Sequence, residues 1–204
     1  MAKFLLLLRS ENTEKENRFY IQAIQRFGGE VVFISDTDSY DDVLHALDSV
    51  SGVLLPGGYN VGRLDYFLID YVVSHQLKLL GICQGMQSMA LWGSSNQLIS
   101  IGNSSHHQEE GYVHSVILEN SRLQDILGVH SFYVNSYHYQ KVLDSYYFRV
   151  VGKSSDGVVE AIEDSNHSFQ IGVQWHPERM LEYDDYSKKI FSSLSLIHIS
   201  EPTR

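Results

Sequence analysis

Hydrophobic positions in the first half of the chain fall into two alternating patterns. Phe4–Leu8 is a continuous apolar run closed by Arg9, as expected of a strand covered on both faces. Thr13 followed by Glu16 reads as a capping box. Phe19, Ala23, Ile24 and Phe27 then repeat at helical spacing until Gly28-Gly29 stops the helix. Val31–Ile34 predicts a second strand, and Val43, Leu44, Leu47 and Val50 a second helix. Val53–Leu55 is a third strand ending in Pro56-Gly57-Gly58, Leu64–Val73 a third helix, and Leu77–Ile82 a fourth strand ending at Cys83. Strands alternating with helices predict an α/β fold with an open, mostly parallel central sheet flanked by helices.

From about Tyr112 the pattern changes to strands and turns: Val113–Leu118, Phe132–Val134, Phe148–Val151, Val158–Ile162 and Phe169–Gln174. These predict additional antiparallel strands in the second half, interrupted by a short helix around Leu123–Leu127. A final helix is expected near Tyr183–Phe191. No internal repeat or low-complexity linker divides the chain.

Composition narrows the class. The 204 residues suit a single domain, and 43% hydrophobic with 20% charged residues supplies a core and excludes disorder as the main state. Phe4–Leu8 is too short for a signal-peptide core or a membrane span, so no membrane partner is expected. The net charge of −10 argues against nucleic acid, whose binding needs clustered Lys and Arg to displace counterions. The single cysteine, Cys83, excludes an internal disulfide framework and a multi-cysteine zinc site and fits a reducing cytoplasm. The string Leu194–Arg204 resembles, letter for letter, one reading frame of a transposon adaptor used for sequencing libraries. Residues 1–193 are therefore expected to form the one native domain, with 194–204 a non-native tail that cuts the last helix short.

Three motifs carry chemistry. Gly81-Ile82-Cys83-Gln84-Gly85 places a cysteine between a buried strand and a helix starting near Gln84. Glycines two before and two after relieve the crowding of a side chain projected from a tight strand-to-helix turn, as in a nucleophile elbow. The helix N-terminus favours the thiolate. A lone cysteine is more often buried filler, and it is the elbow spacing that reverses those odds. In Gln174-Trp175-His176-Pro177-Glu178, His176 offers a base and Glu178 a carboxylate to orient it. Glu178 is expected to reach the same side as His176 in an extended segment, kept from turning helical by Pro177. Leu54-Leu55-Pro56-Gly57-Gly58 ends a strand in glycines whose N–H groups can approach an oxyanion, although alone it would read as a plain turn.

These motifs, together with LLGICQGMQ at 79–87, VNSYHYQ at 134–140, SSDGVVEAIE at 154–163 and IGVQWHPE at 171–178, resemble the class I glutamine amidotransferase-like superfamily. Within it they are most similar to the gamma-glutamyl hydrolase-type cysteine peptidases, such as the gamma-glutamyl-gamma-aminobutyrate hydrolases. The resemblance implies the flavodoxin-like class I amidotransferase fold and a catalytic triad of Cys83, His176 and Glu178. It also implies an oxyanion hole from the N–H groups of Gly58 and Gln84. By position only, Gln87, Ser136, Tyr137 and His138 are candidates for gripping the glutamyl amino and carboxylate groups, with His138 equally readable as a packed histidine. The implied substrate is a small gamma-glutamyl compound, and the chemistry needs no cofactor.

Two departures from the family pattern lie where the leaving group would sit. The loop after Gly58 reads Tyr59-Asn60-Val61-Gly62-Arg63 and runs straight into a helix, which predicts a more open site. Gln84 stands where the hydrolases often carry arginine. The cluster His106, His107, Glu109, Glu110 and His114 matches no metal-ligand spacing, so no metal is expected, and His106–Gln108 is expected in a loop near substrate. Two other readings remain open. One is a glutaminase subunit delivering ammonia to a synthase partner, which would need an exposed apolar patch beside the site. The other is a catalytically inactive binding protein.

Overall fold

Phe4, Leu5, Leu6 and Leu7 are all fully buried, so the first strand must be covered on both faces, and a computed structural model shows how. It describes residues 1–102, 106–108, 111–166 and 169–196. The first half runs β1 (Lys3–Leu8), α1 (Glu14–Arg26), β2 (Glu30–Ser35), α2 (Tyr40–Leu47), β3 (Gly52–Leu55), α3 (Arg63–His75), β4 (Lys78–Ile82) and α4 (Gln84–Leu91). The second half follows with β5 (Ile99–Ser100), β6 (His107–Gln108), β7 (His114–Leu118), α5 (Arg122–Leu127), β8 (Ser131–Val134), β9 (Ser136–Tyr137) and β10 (Gln140–Lys141). It ends with β11 (Arg149–Ser154), β12 (Val159–Glu163), β13 (Gln170–Val173) and α6 (Asp185–Ser195).

Among the described residues a nine-stranded sheet has the order β2-β1-β3-β4-β13-β12-β11-β7-β8. Strands β2 to β13 in that order are parallel, and β12, β11, β7 and β8 continue the sheet antiparallel. The alternation of β1 divides two cores. Phe4 and Leu6 pack with Tyr20, Ile24, Trp175, Phe191 and Leu194 on one face. Leu5 and Leu7 pack with Val43, Leu64, Leu68, Met86 and Met89 on the other.

Local signals hold where they are strong. Thr13 and Glu16 form the expected reciprocal cap of α1, and Gly28 ends it at φ 81°. Two expectations are corrected. The last helix starts at Asp185, two residues later than expected and capped by Asp184, and runs to Ser195 with Leu194 fully buried. His176-Pro177-Glu178 is not extended: Pro177–Arg179 is a single 3-10 turn. Proline at the first helical position gives up an N–H that has no partner there, and its fixed φ suits a helical start.

Candidate active site

Three loops meet because three neighbouring parallel strands end together. Leu55 at the end of β3 is level with Gly81 in β4, and Ile82 is level with Val173 of β13. Pro56-Gly57-Gly58, Cys83 and His176 therefore emerge side by side at the carboxyl edge of the sheet, the usual place for a site in an open α/β fold.

Cys83 turns the chain from β4 into α4 with φ 52° and ψ −106°, a strained conformation for a residue with a side chain. The flanking glycines allow it. A Cβ on Gly85 would overlap the Leu55 carbonyl oxygen, and one on Gly81 would lie 2.5 Å from Met89 Sδ. Gln84 begins α4, so its N–H has no partner within the helix. The Cys83 Sγ lies 3.9 Å from the Tyr137 carbonyl oxygen and shares the cleft with the His176 imidazole, whose charge acts on the thiol.

His176 Nδ1 lies 2.7 Å from Glu178 Oε1, and both side chains are buried. The 3-10 turn thus delivers the contact expected of an extended segment. Asn135 holds the His176 backbone at both ends: its Oδ1 accepts from the His176 N–H at 2.8 Å and its Nδ2 donates to the His176 carbonyl at 2.9 Å. Burial opposes charge on both partners of the Cys83–His176 pair, but their mutual attraction prevails. The His176 charge holds the thiol below its ordinary pKa, while Glu178 and Cys83 hold the imidazole well above its own.

A cleft of about 370 Å³ opens over these groups, lined by Gly57, Gly58, Cys83, Gln87, Tyr137, His138 and His176 among others. Gly57 packs so tightly that a Cβ would stand 2.9 Å from both His176 Cε1 and the Tyr20 hydroxyl. The Gly57 N–H donates to that hydroxyl at 3.0 Å. Burial, then the negative charges of Glu178 and Cys83, keep the Tyr20 phenol protonated. Behind the loop, the buried Arg9 guanidinium pairs with Asp65 at 2.7 Å and reaches the Pro56 carbonyl.

Of the positional candidates, Tyr137 and His138 line the cleft, as does Gln87, whose Nε2 is engaged by Gln140 O and Gln174 Oε1. Ser136 is not brought there: it is fully buried, with its hydroxyl against His106. His106–Gln108 is likewise absent from the cleft lining, because His106 turns into the interior and β6 pairs with β9. His106 and His114 gather instead with His138 and Glu160. His107 packs on Tyr139, while Glu109 and Glu110 lie outside the described residues. Sequence reasoning misses Asn135, Tyr20, Arg9, Asp65, Glu16 and Arg179. Only Asn135 carries a signal, its place in the VNSYHYQ segment; the others meet across long sequence separations.

With this geometry in place, comparison with known proteins gives the family. The peptidase C26 model matches residues 62–178. The chain belongs to the peptidase C26 family. It is a gamma-glutamyl hydrolase- or amidotransferase-type enzyme of the class I glutamine amidotransferase-like group. It is 30% identical to the gamma-glutamyl-gamma-aminobutyrate hydrolase PuuD of Escherichia coli over an alignment 207 positions long, covering 84% of this chain and 81% of that protein. A glutamine amidotransferase from Thermotoga maritima shares the fold at a TM-score of 0.69 and 14% identity, covering 95% of this chain and 96% of that one. The glutaminase domain of Trypanosoma brucei CTPS with bound acivicin does so at 0.72 and 16% identity, covering 96% and 92%. Among the described residues no helix is long and apolar enough to cross a membrane.

Proposed function

We propose that this C26 enzyme is a cysteine-dependent hydrolase of gamma-glutamyl amide bonds that releases glutamate and an amine through a gamma-glutamyl thioester. The observation that carries the reading is that buried Cys83 and His176 line one cleft, with His176 Nδ1 backed by Glu178 at 2.7 Å. Cys83 Sγ attacks the gamma-carbonyl carbon. The N–H groups of Gln84 and Gly58 receive the oxyanion, Gly58 being adjacent to a Gly57 N–H already committed to Tyr20. His176 protonates the departing amine, then takes a proton from the water that cleaves the thioester. Glu178 fixes the imidazole's orientation and stabilises its charge.

Tyr137 and Gln87 are the proposed contacts to the glutamyl group; His138 also lines the cleft, but its ring nitrogens face the Gln140 carbonyl and Glu160. Glu16 and Arg179 line the same cleft, a carboxylate and a guanidinium suited to the amino and carboxylate ends of an amino-acid head group. PuuD, by its name, acts on gamma-glutamyl-gamma-aminobutyrate, and we extend that substrate class to this chain.

The second reading, a glutaminase subunit feeding ammonia to a synthase, is favoured by Tyr59 and Tyr139, which line the cleft and stand 60% and 49% exposed. Hydroxylamine trapping tests the thioester itself. Incubation with a gamma-glutamyl amide and hydroxylamine is expected to give gamma-glutamyl hydroxamate with wild type and none with Cys83→Ala. Hydroxamate formation by Cys83→Ala, or glutamate release from wild type without any hydroxamate, would overturn the covalent route.

A further inference from the structure

Beside the catalytic groups lies a second cluster that the proposed hydrolysis leaves unused. One ligand atom from each of His106, His114, His138 and Glu160 lies within 4.8 Å of all the others. Glu160 Oε1 is 3.5 Å from His106 Nδ1, 3.5 Å from His114 Nε2 and 3.7 Å from His138 Nε2. A tetrahedral ion with bonds of about 2.0–2.1 Å separates its ligand atoms by about 3.3 Å, so the Glu160 spacings need only a small contraction, while the widest spacing in the cluster, up to 4.8 Å, closes by about 1.5 Å at most as the imidazoles turn inward.

The groups are costly to bury as they stand. Glu160 is fully buried, and neither of its oxygens accepts a hydrogen bond from a described residue. The inward nitrogens of His114 and His138 are also without hydrogen bonds. A buried carboxylate facing three imidazoles requires a cation among them.

The outward nitrogens fix what the inward ones present. His106 Nε2 faces Asp156 Oδ2 at 3.0 Å, His138 Nδ1 faces the Gln140 carbonyl at 2.9 Å, and His114 Nδ1 faces the Ser115 carbonyl at 3.3 Å. An N–H donated to each acceptor leaves a lone pair on each inward nitrogen. This is the outer support that orients metal-bound histidines. The Ser136 hydroxyl, 3.1 Å from His106 Nδ1, also lies 3.4 Å from the His106 carbonyl and releases the nitrogen by donating there.

We infer that His106, His114, His138 and Glu160 form a structural site for one borderline divalent first-row cation, with zinc the best match to a set of three imidazoles and one carboxylate. Four protein ligands fill a tetrahedron, which makes the ion a brace. The ligands come from the turn before β6, from β7, from the segment after β9 and from β12, so the ion pins the β6–β9 pair to the main sheet beside Tyr137 and His138. His114 is partly exposed and supplies an entry path.

The test is metal content of the full chain, made without a histidine tag. After exposure to excess Zn²⁺ and gel filtration into metal-free buffer, about one zinc per chain is expected. Cobalt loading is expected to give the visible bands of a tetrahedral Co²⁺ site. Cys83→Ser is expected to keep the metal, which separates this cluster from the catalytic thiol. His114→Ala and Glu160→Gln, each checked for folding by circular dichroism, are expected to lose it. Chelation is expected to lower the melting temperature of wild type but not of His114→Ala. Wild type that retains less than about a tenth of an ion per chain overturns the site, a proton on one histidine then being the cation. Equal retention by wild type and His114→Ala overturns it as well.

Discussion

Asn135 grips the main chain of His176 through both ends of its amide, accepting from the N–H at 2.8 Å and donating to the carbonyl at 2.9 Å. Asn135 follows β8 and His176 follows β13, so a residue distant in sequence sets where the imidazole stands. Asn135→Ala is expected to lower kcat about 10- to 100-fold with little change in KM, because the base is displaced while the cleft stays intact. It orphans two buried backbone groups, at about 1–3 kcal/mol each. Steady-state kinetics and denaturant melts check both effects, and an unchanged kcat would remove Asn135 from the positioning role.

The Cys83–His176 pair sets the pH dependence. Cys83 is held below its ordinary pKa, so the thiolate persists as pH falls below the usual thiol range. His176 is held well above its ordinary value, so the imidazolium persists as pH rises above it. The stability that His176 contributes is therefore complete at low pH and is lost as pH rises through its folded-state value. Iodoacetamide is expected to alkylate Cys83 at pH values where a free thiol is inert. Removing the Glu178 charge weakens the hold on His176 and relieves repulsion of the thiolate, so Glu178→Gln is expected to move both limbs of the pH–rate profile to lower pH. Unshifted limbs would show that Glu178 does not act on the pair.

Arg9 and Asp65 form a buried ion pair, 3% and 1% exposed, that also secures the Pro56 carbonyl and Ser88 Oγ. Asp65→Ala leaves the guanidinium uncompensated and is expected to cost about 3–5 kcal/mol. Arg9→Met with Asp65→Leu is expected to regain most of that stability but not activity, since the Pro56–Gly58 loop loses its anchor. Urea melts of the three variants decide it. A double variant no better than Asp65→Ala would contradict the charge explanation.

The elbow glycines give a sharp contrast. The Cβ of Gly85→Ala would run into the Leu55 carbonyl, backbone against backbone, whereas one on Gly102 would meet nothing within 4 Å among the described residues. Gly85→Ala is expected to destabilise by at least about 1–3 kcal/mol and abolish turnover. Gly102→Ala is expected to stay within about 0.5 kcal/mol of wild type. Thermal melts of both suffice.

What is legible in the sequence is local. The apolar run of β1, the Thr13–Glu16 cap and the Gly81–Gly85 spacing each express a short-range rule, and each reappears in the fold. The 3-10 turn at Pro177 escapes a reading that treats proline only as a helix breaker, when it is also a favoured helix starter. Arg9–Asp65, Asn135–His176 and the Glu160 histidine cluster join segments far apart in the chain, and no periodicity encodes such meetings. In the sequence, His106 and His114 stand out only as neighbours of His107, Glu109 and Glu110. Their actual companions, His138 and Glu160, come from segments that the sheet order brings alongside.

Glutamate release by the purified protein alone bears most directly on the proposed chemistry. The substrates are glutamine, gamma-glutamyl-gamma-aminobutyrate and a gamma-glutamyl anilide, each measured beside Cys83→Ala. Turnover of at least one gamma-glutamyl amide, abolished in Cys83→Ala, is the expected result. Silence toward all three, with Cys83 still alkylated readily by iodoacetamide, would contradict a self-sufficient hydrolase and favour a glutaminase that waits for its synthase.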